Sequence, residues 1–270
     1  MLAGAAVIVV AAGVGGGGLA SGAFARPRPV VQDSASSAPV TTASFSFKLA
    51  VKGLVRHGGT VALSGTGQVD FGADAVSAAI TLPPSVAALI PGGTASATTV
   101  DAVLSGGTVY AEIPGLSSLV HKPWISISLP AGVTSAIPGG FSTVAGALGS
   151  VNEILTFARG HHAKVVSLGS GTVGGAPASI FGIGGRIDGV KVAAKLWADG
   201  SGRLVQAALQ AGSRGAGVSG TIDFSGYGAP VTVTVPPSSE VQAIPLSLVE
   251  NVLGGLLGKA HLGGLFTHAA

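Results

Sequence analysis

For acid–base or metal chemistry the 270-residue chain offers six histidines, seven aspartates and four glutamates, and it has no cysteine. The histidines are His57, His121, His161, His162, His261 and His268. None stands in H-E-x-x-H or another metal-ligand spacing. His161-His162 is the one adjacent pair. Neighbours on a strand face opposite sides, so two such rings do not converge easily on one ion, and they read as solvated turn residues ahead of a strand. The carboxylates are dispersed, with no close pair of the kind glycoside hydrolysis uses. There is no G-x-S-x-G elbow, no thiol nucleophile and no P-loop. A G-x-G-x-x-G match at Gly13, Gly15 and Gly18 falls in a glycine run with no βαβ unit around it. The residue types therefore predict a protein that is not an enzyme and holds no cofactor and no metal.

The composition narrows the binding classes. Only 9% of residues are charged, against about 25% in an average soluble domain. Hydrophobic residues make up 47%, glycine numbers 45 and mean hydropathy is +0.63. A charged disordered chain and a disulfide scaffold are excluded. The net charge of +3 comes from 14 scattered Lys and Arg against 11 acids, which is no basic patch and argues against nucleic acid.

Four segments are expected. Residues 1–25 carry no charge: Leu2–Val14 is apolar, Gly15–Gly18 follows, and Ala23-Phe24-Ala25 forms an A-x-A pattern before Arg26. This is the order of an export signal without its basic start; an uncleaved membrane anchor and a cytosolic apolar tail are the alternatives. Residues 26–43 read as a Pro/Ser/Thr/Ala linker. Residues 44–238 form the main domain, and 239–270 an amphipathic helical tail that could cap the domain, lie on a membrane or pack on its own sheet.

In the main domain the pattern has period two. Phe45, Phe47, Leu49 and Val51 alternate with Ser46, Lys48, Ala50 and Lys52; Val61, Leu63, Val69 and Phe71 continue the pattern after Gly58-Gly59. Further strands are predicted at Ala75–Leu82, Thr98–Leu104, Thr108–Ile113, Trp124–Leu129, Lys164–Val173, Ala178–Asp188, Lys191–Ala198, Arg203–Gln210, Gly217–Phe224 and Val231–Val235. Short strands at this spacing, without helices between them, indicate an antiparallel meander. Helices are expected at Pro84–Leu89 and Gly149–Arg159, with Gly160 as a stop and Ile137–Leu148 as an extension. Such a sheet needs a cover for its apolar face. One or two helices cannot fill the concavity, so either the sheet closes as a barrel or its concave face holds a hydrophobic ligand. Trp124, Trp197 and Tyr227 read as aromatics at strand ends or rims.

Several segments in order resemble a known family. They are Val109-Tyr110 with Ile113-Pro114-Gly115, Lys122-Pro123-Trp124-Ile125, Lys195 through Leu204 (KLWADGSGRL), Asp223 through Val231 (DFSGYGAPV), and Pro236-Pro237. The chain resembles the LppX/LprAFG family of mycobacterial envelope lipoproteins, related in fold to LolA and LolB carriers. The resemblance covers roughly residues 44 to 238. It implies an α+β fold: a strongly curved antiparallel half-barrel with a few helices covering its concave mouth. It also implies an apolar cavity for acyl chains, export to the cell envelope, and transport or presentation of lipids or glycolipids. Two departures stand out. The lipobox cysteine is absent from these residues, so a covalent lipid anchor is not expected. Gly226 replaces the family's aspartate.

The expected function is thus non-enzymatic binding of lipid or glycolipid acyl chains by an exported monomer of the cell envelope, with membrane contact through either end of the chain. Its expected contact residues are Phe45, Phe47, Leu49, Val61, Leu63, Val69 and Phe71. The rivals are an interaction module with a self-filled core, and a lipid esterase.

Overall fold

The computed structural model describes residues 41–55, 59–88, 96–115, 121–129, 150–160, 162–187, 190–213 and 216–245. The expected export segment, the linker up to residue 40, the Ile137–Leu148 helix and the tail from residue 246 lie outside the described residues, as do His57, His161, His261 and His268.

The first half of the domain contributes β1 (Thr42–Val55), β2 (Gly59–Asp70), β3 (Ala75–Leu82), β4 (Thr98–Ser105), β5 (Thr108–Glu112) and β6 (Trp124–Ser128). A four-residue helix α1 (Pro84–Ala87) follows β3, and α2 (Val151–Gly160) precedes β7 (Lys164–Val173). Then come β8 (Ala176–Ile187), β9 (Val190–Ala198), β10 (Leu204–Ser213), β11 (Ala216–Ser225) and β12 (Val241–Ala243). These strands form one sheet in the order β12-β6-β5-β4-β3-β2-β1-β11-β10-β9-β8-β7. It is a large, curved, open sheet with few described helices. Among the described residues its two ends, β12 and β7, do not pair, so these strands do not close into a barrel. Two meanders are joined at the centre by the antiparallel pair β1–β11.

The structure corrects the expectation in several places. Residues 231–235 are not a strand. Their V-T-V-T-V alternation suits a strand, but the chain has left β11 in mid-sheet and rejoins beyond β6, seven strand positions away. That is about 34 Å at 4.8 Å per strand, so the segment is stretched with no ladder partner beside it. Pro230 and Pro236 lack the N–H a ladder needs, and Val235 is 41% exposed. The strand forms instead at Val241–Ala243 and pairs parallel with β6, where only antiparallel pairs were expected. The sheet thus includes residues assigned to the tail, and it starts at Thr42, inside the expected linker. Ala43 is fully buried there. Ile244 and Pro245 are not helical.

Helix α2 forms because Val151, Leu155 and Ala158 put one apolar stripe onto the sheet. It ends differently from expectation. Gly160 is the last helical residue, and His162, at φ 59°, takes the left-handed position. The amides of His162 and Ala163 donate to the carbonyls of Arg159 (3.0 Å) and Ala158 (2.9 Å), closing the helix in a Schellman-like turn. His162 is exposed, as a solvated turn residue.

Candidate functional site

Directly paired residues in an antiparallel sheet share a face, so the registers define the apolar side. One cross-strand row runs Ile222, Phe47, Gly65, Ile80 and Val100. The next runs Phe224, Phe45, Gly67, Ala78 and Ala102, and continues through Ala111 to Ile125. Leu49 and Leu63 face each other in a third.

Two clusters grow from this face. The first spans β1 to β6 and is built on Phe47, Leu49, Val61, Leu63, Ile80 and Leu104. The second lies between α2 and β8–β11, with Leu155, Leu196, Leu204 and Phe224 at its centre. Phe45 and Ile222 pack against both, so the apolar surface is continuous across the centre of the sheet.

The expected contact residues fall out unevenly. Phe47, Leu49, Val61, Leu63 and Val69 are each at most 4% exposed, buried by the protein's own atoms. Phe45 is half-buried. Phe71 is not on the strand: β2 ends at Asp70, whose carboxylate accepts from the amides of Gly72 and Ala73 (both 2.9 Å) and turns the chain there. Phe71 belongs to neither cluster. Unnoticed in the sequence were Ile80, Val100, Leu104, Val109 and Ile125, which complete the first cluster. Their own period-two spacing in β3–β6 was the available signal.

Phenylalanine–glycine pairs shape the floor. The rings of Phe45 and Phe47 lie down over Gly67 and Gly65, so close that a Cβ on Gly65 would stand 2.7 Å from Phe47 Cζ. The two rings stack at 6.3 Å, and Phe45 meets Phe224 at 6.2 Å. Beyond Phe45, the row Ala78–Ala102–Ala111 has only methyl side chains. It forms a low strip about 10 Å long between larger neighbours, at 4.8 Å per strand.

Two of the segments that carry the family resemblance, Lys195–Leu204 and Asp223–Val231, serve the scaffold. Asp199 ends β9, and its carboxylate accepts from the amides of Ser201 (2.9 Å) and Arg203 (3.0 Å) and from Arg203 Nε (2.8 Å). It also pairs with the guanidinium at 2.7 Å. The turn so fixed presents the Gly202 carbonyl to the amide of Val151, 3.0 Å away, and seats the start of α2. Arg203 lies over the Tyr227 ring at 5.4 Å, and the Tyr227 hydroxyl donates to the Leu204 carbonyl. Burial, and secondarily the Asp199 charge, push the Tyr227 phenol well above its ordinary pKa. Trp197 is half-buried, with Lys195 Nζ 4.9 Å from its ring centre.

No group of three or more His, Asp or Glu side chains is arranged to hold a metal among the described residues. None of the described helices is long and apolar enough to cross a membrane.

No family model matches the chain, and no curated protein matches it in sequence. Among solved structures it is similar to the Mycobacterium tuberculosis lipoprotein LppX, at 14% identity and a TM-score of 0.40 over 72% of this chain and 90% of that one. It is also similar to a DUF1329 family protein from Desulfovibrio piger, at 13% identity and a TM-score of 0.31 over 75% and 92% of the two chains. A LolA superfamily protein from Nitrosomonas europaea follows at 10% identity and a TM-score of 0.27 over 74% and 90%.

Proposed function

We propose that this protein binds acyl chains of lipids or glycolipids on the apolar face of its sheet and carries or presents them in the cell envelope, without chemistry of its own. The observation that carries the reading is the extent of that face. It is continuous through Phe45 and Ile222 across both meanders. Twelve strands make an arc about 53 Å wide. The described α-helices have ten and four residues, and a helix of ten residues is about 15 Å long and 10 Å across. Hydrocarbon that replaces the present cover of this face would be held by the hydrophobic effect alone, at about 0.8 kcal/mol per methylene. A curved half-barrel closed over by helices is the architecture this reading requires; Ala78, Ala102 and Ile125 of the methyl-lined strip are buried by the protein's own atoms, so a chain lying there takes the place of what now covers them.

A second reading has its own support. Five of the seven expected contact residues are buried by the protein's own atoms, as they would be in an interaction module with a self-filled core. Extraction of the purified protein with organic solvent, followed by mass spectrometry, separates the two. The lipid reading expects co-purifying acyl lipids and uptake of a fluorescent fatty-acyl probe. Absence of both would leave the self-filled module.

A further inference from the structure

The opposite, hydrophilic face of the sheet carries an open groove of about 680 Å³, within the roughly 300–1,000 Å³ of small-molecule sites. Register explains its form. One row of paired residues crosses five strands as Ser225, Ser44, Gln68, Ser77 and Val103. The adjacent row runs Asp223, Ser46, Thr66, Ala79 and Asp101 over the same strands. Short side chains therefore make a floor about 19 Å long across the strands. Trp124, two strands beyond Asp101 on β6, also lines the groove. Just before this strand, Lys122 Nζ donates to the Val241 carbonyl of the edge strand β12 at 2.9 Å.

The lining defines a ligand chemistry. The serine and threonine hydroxyls donate and accept, the Gln68 amide does both, and the two carboxylates only accept. Gln206 Nε2 donates to Asp223 Oδ1 at 2.6 Å and orients that carboxylate. Among the described residues no Lys or Arg lines the groove, so phosphate and nucleic acid meet two carboxylates there. An acyl chain would leave the hydroxyls, the Gln68 amide and the carboxylates among the lining residues without partners. A ring carrying several hydroxyls suits it: donors for the carboxylates, acceptors for the serines, and an apolar C–H face for the indole.

We propose that this groove is a saccharide site, long enough for more than one ring. It lies on the other side of the sheet from the apolar face and stands whether or not that face takes lipid.

The test titrates linear tetrasaccharides of glucose, mannose and N-acetylglucosamine into the full chain by calorimetry. A Trp197→Phe variant then leaves Trp124 as the only indole, and its emission reports occupancy. At least one sugar is expected to bind saturably with a Kd at or below about 1 mM. Trp124→Ala should lower that affinity tenfold or more. So should Thr66→Arg, which fills the floor at an exposed position and leaves the melting temperature unchanged. No saturable signal from any sugar up to about 10 mM would overturn the proposal. Sugar binding indifferent to Thr66→Arg would overturn it as well. So would binding only of spermidine, a cation that the aspartates also attract.

Discussion

Replacing Asp199 tests whether the turn between β9 and β10 organises the second cluster. Asp199→Ala removes one acceptor for two backbone amides and two guanidinium contacts at once. Hydrogen bonds to a charged group contribute about 1.5–3 kcal/mol each at most, and a partly exposed ion pair about 0.2–1 kcal/mol. The Arg203 side chain is 38% exposed and that of Asp199 22%, so the lower end of each range applies. Asp199→Ala should cost about 2–3 kcal/mol, or roughly 5–10 °C in melting temperature for a domain of this size. Asp199→Asn keeps Oδ1 for the amides of Ser201 and Arg203 and should cost about 1 kcal/mol. Arg203→Ala loses the pair and the Tyr227 ring contact, together about 1–1.5 kcal/mol. Urea unfolding of the three variants, each fitted with the wild-type slope, gives the comparison. In Asp199→Ala the amide of Val151 should also lose hydrogen-exchange protection, because its acceptor Gly202 is in the freed turn. A cost below about 0.5 kcal/mol for Asp199→Ala, or equal damage from Asp199→Asn, would refute the reasoning.

Other positions give equally definite expectations. Tyr227→Phe should cost about 1 kcal/mol at neutral pH through the bond to Leu204. The folded phenol titrates above the unfolded one, so its stabilisation is complete below about pH 10 and lost as pH rises further; an alkaline unfolding series should show a shallower decline for Tyr227→Phe. Gly65→Ala drives a Cβ into the Ala79 carbonyl and the Phe47 ring, whereas Gly184→Ala meets nothing within 4 Å. Thermal melts should show the first losing about 2 kcal/mol or more and the second gaining up to about 0.5 kcal/mol. Asp74 sits at φ 53° with Oδ1 buried and unpartnered, and burial raises its pKa. Its stabilising form is the protonated one, lost as pH rises through the raised pKa. Asp74→Asn should therefore be the more stable chain at pH 7 in a denaturant titration, with the difference gone near pH 3.

Strands with one wet and one buried face were legible: Ala75–Leu82 falls where its alternation places it. Lys164–Val173 also forms within its expected bounds, although both of its faces are largely exposed. The segment 231–235 alternates as well, and it fails because a ladder also needs a neighbour, which depends on topology. Phe71 continues the parity of β2, but Asp70 captures the next two amides and ends the strand. The joining of two clusters through Phe45 and Ile222 depends on the β1–β11 pairing, between residues 165 to 181 positions apart, which no local pattern encodes. For the same reason the hydrophilic groove was invisible. Ser46, Thr66, Asp101 and Asp223 look like ordinary solvent-face residues until the register aligns them.

The dependence of affinity on chain length tests the acyl-binding account most directly. Fluorescent acyl probes of twelve, fourteen and sixteen carbons are titrated into the full chain, alongside Ala102→Phe, which forces a ring into the buried methyl-lined strip and is used with a melting temperature showing that it stays folded. If the face takes hydrocarbon, each added pair of methylenes strengthens binding by about 1.6 kcal/mol, roughly fifteenfold, and Ala102→Phe weakens all three probes. Affinities that stay level with chain length, or that Ala102→Phe leaves untouched, would contradict it.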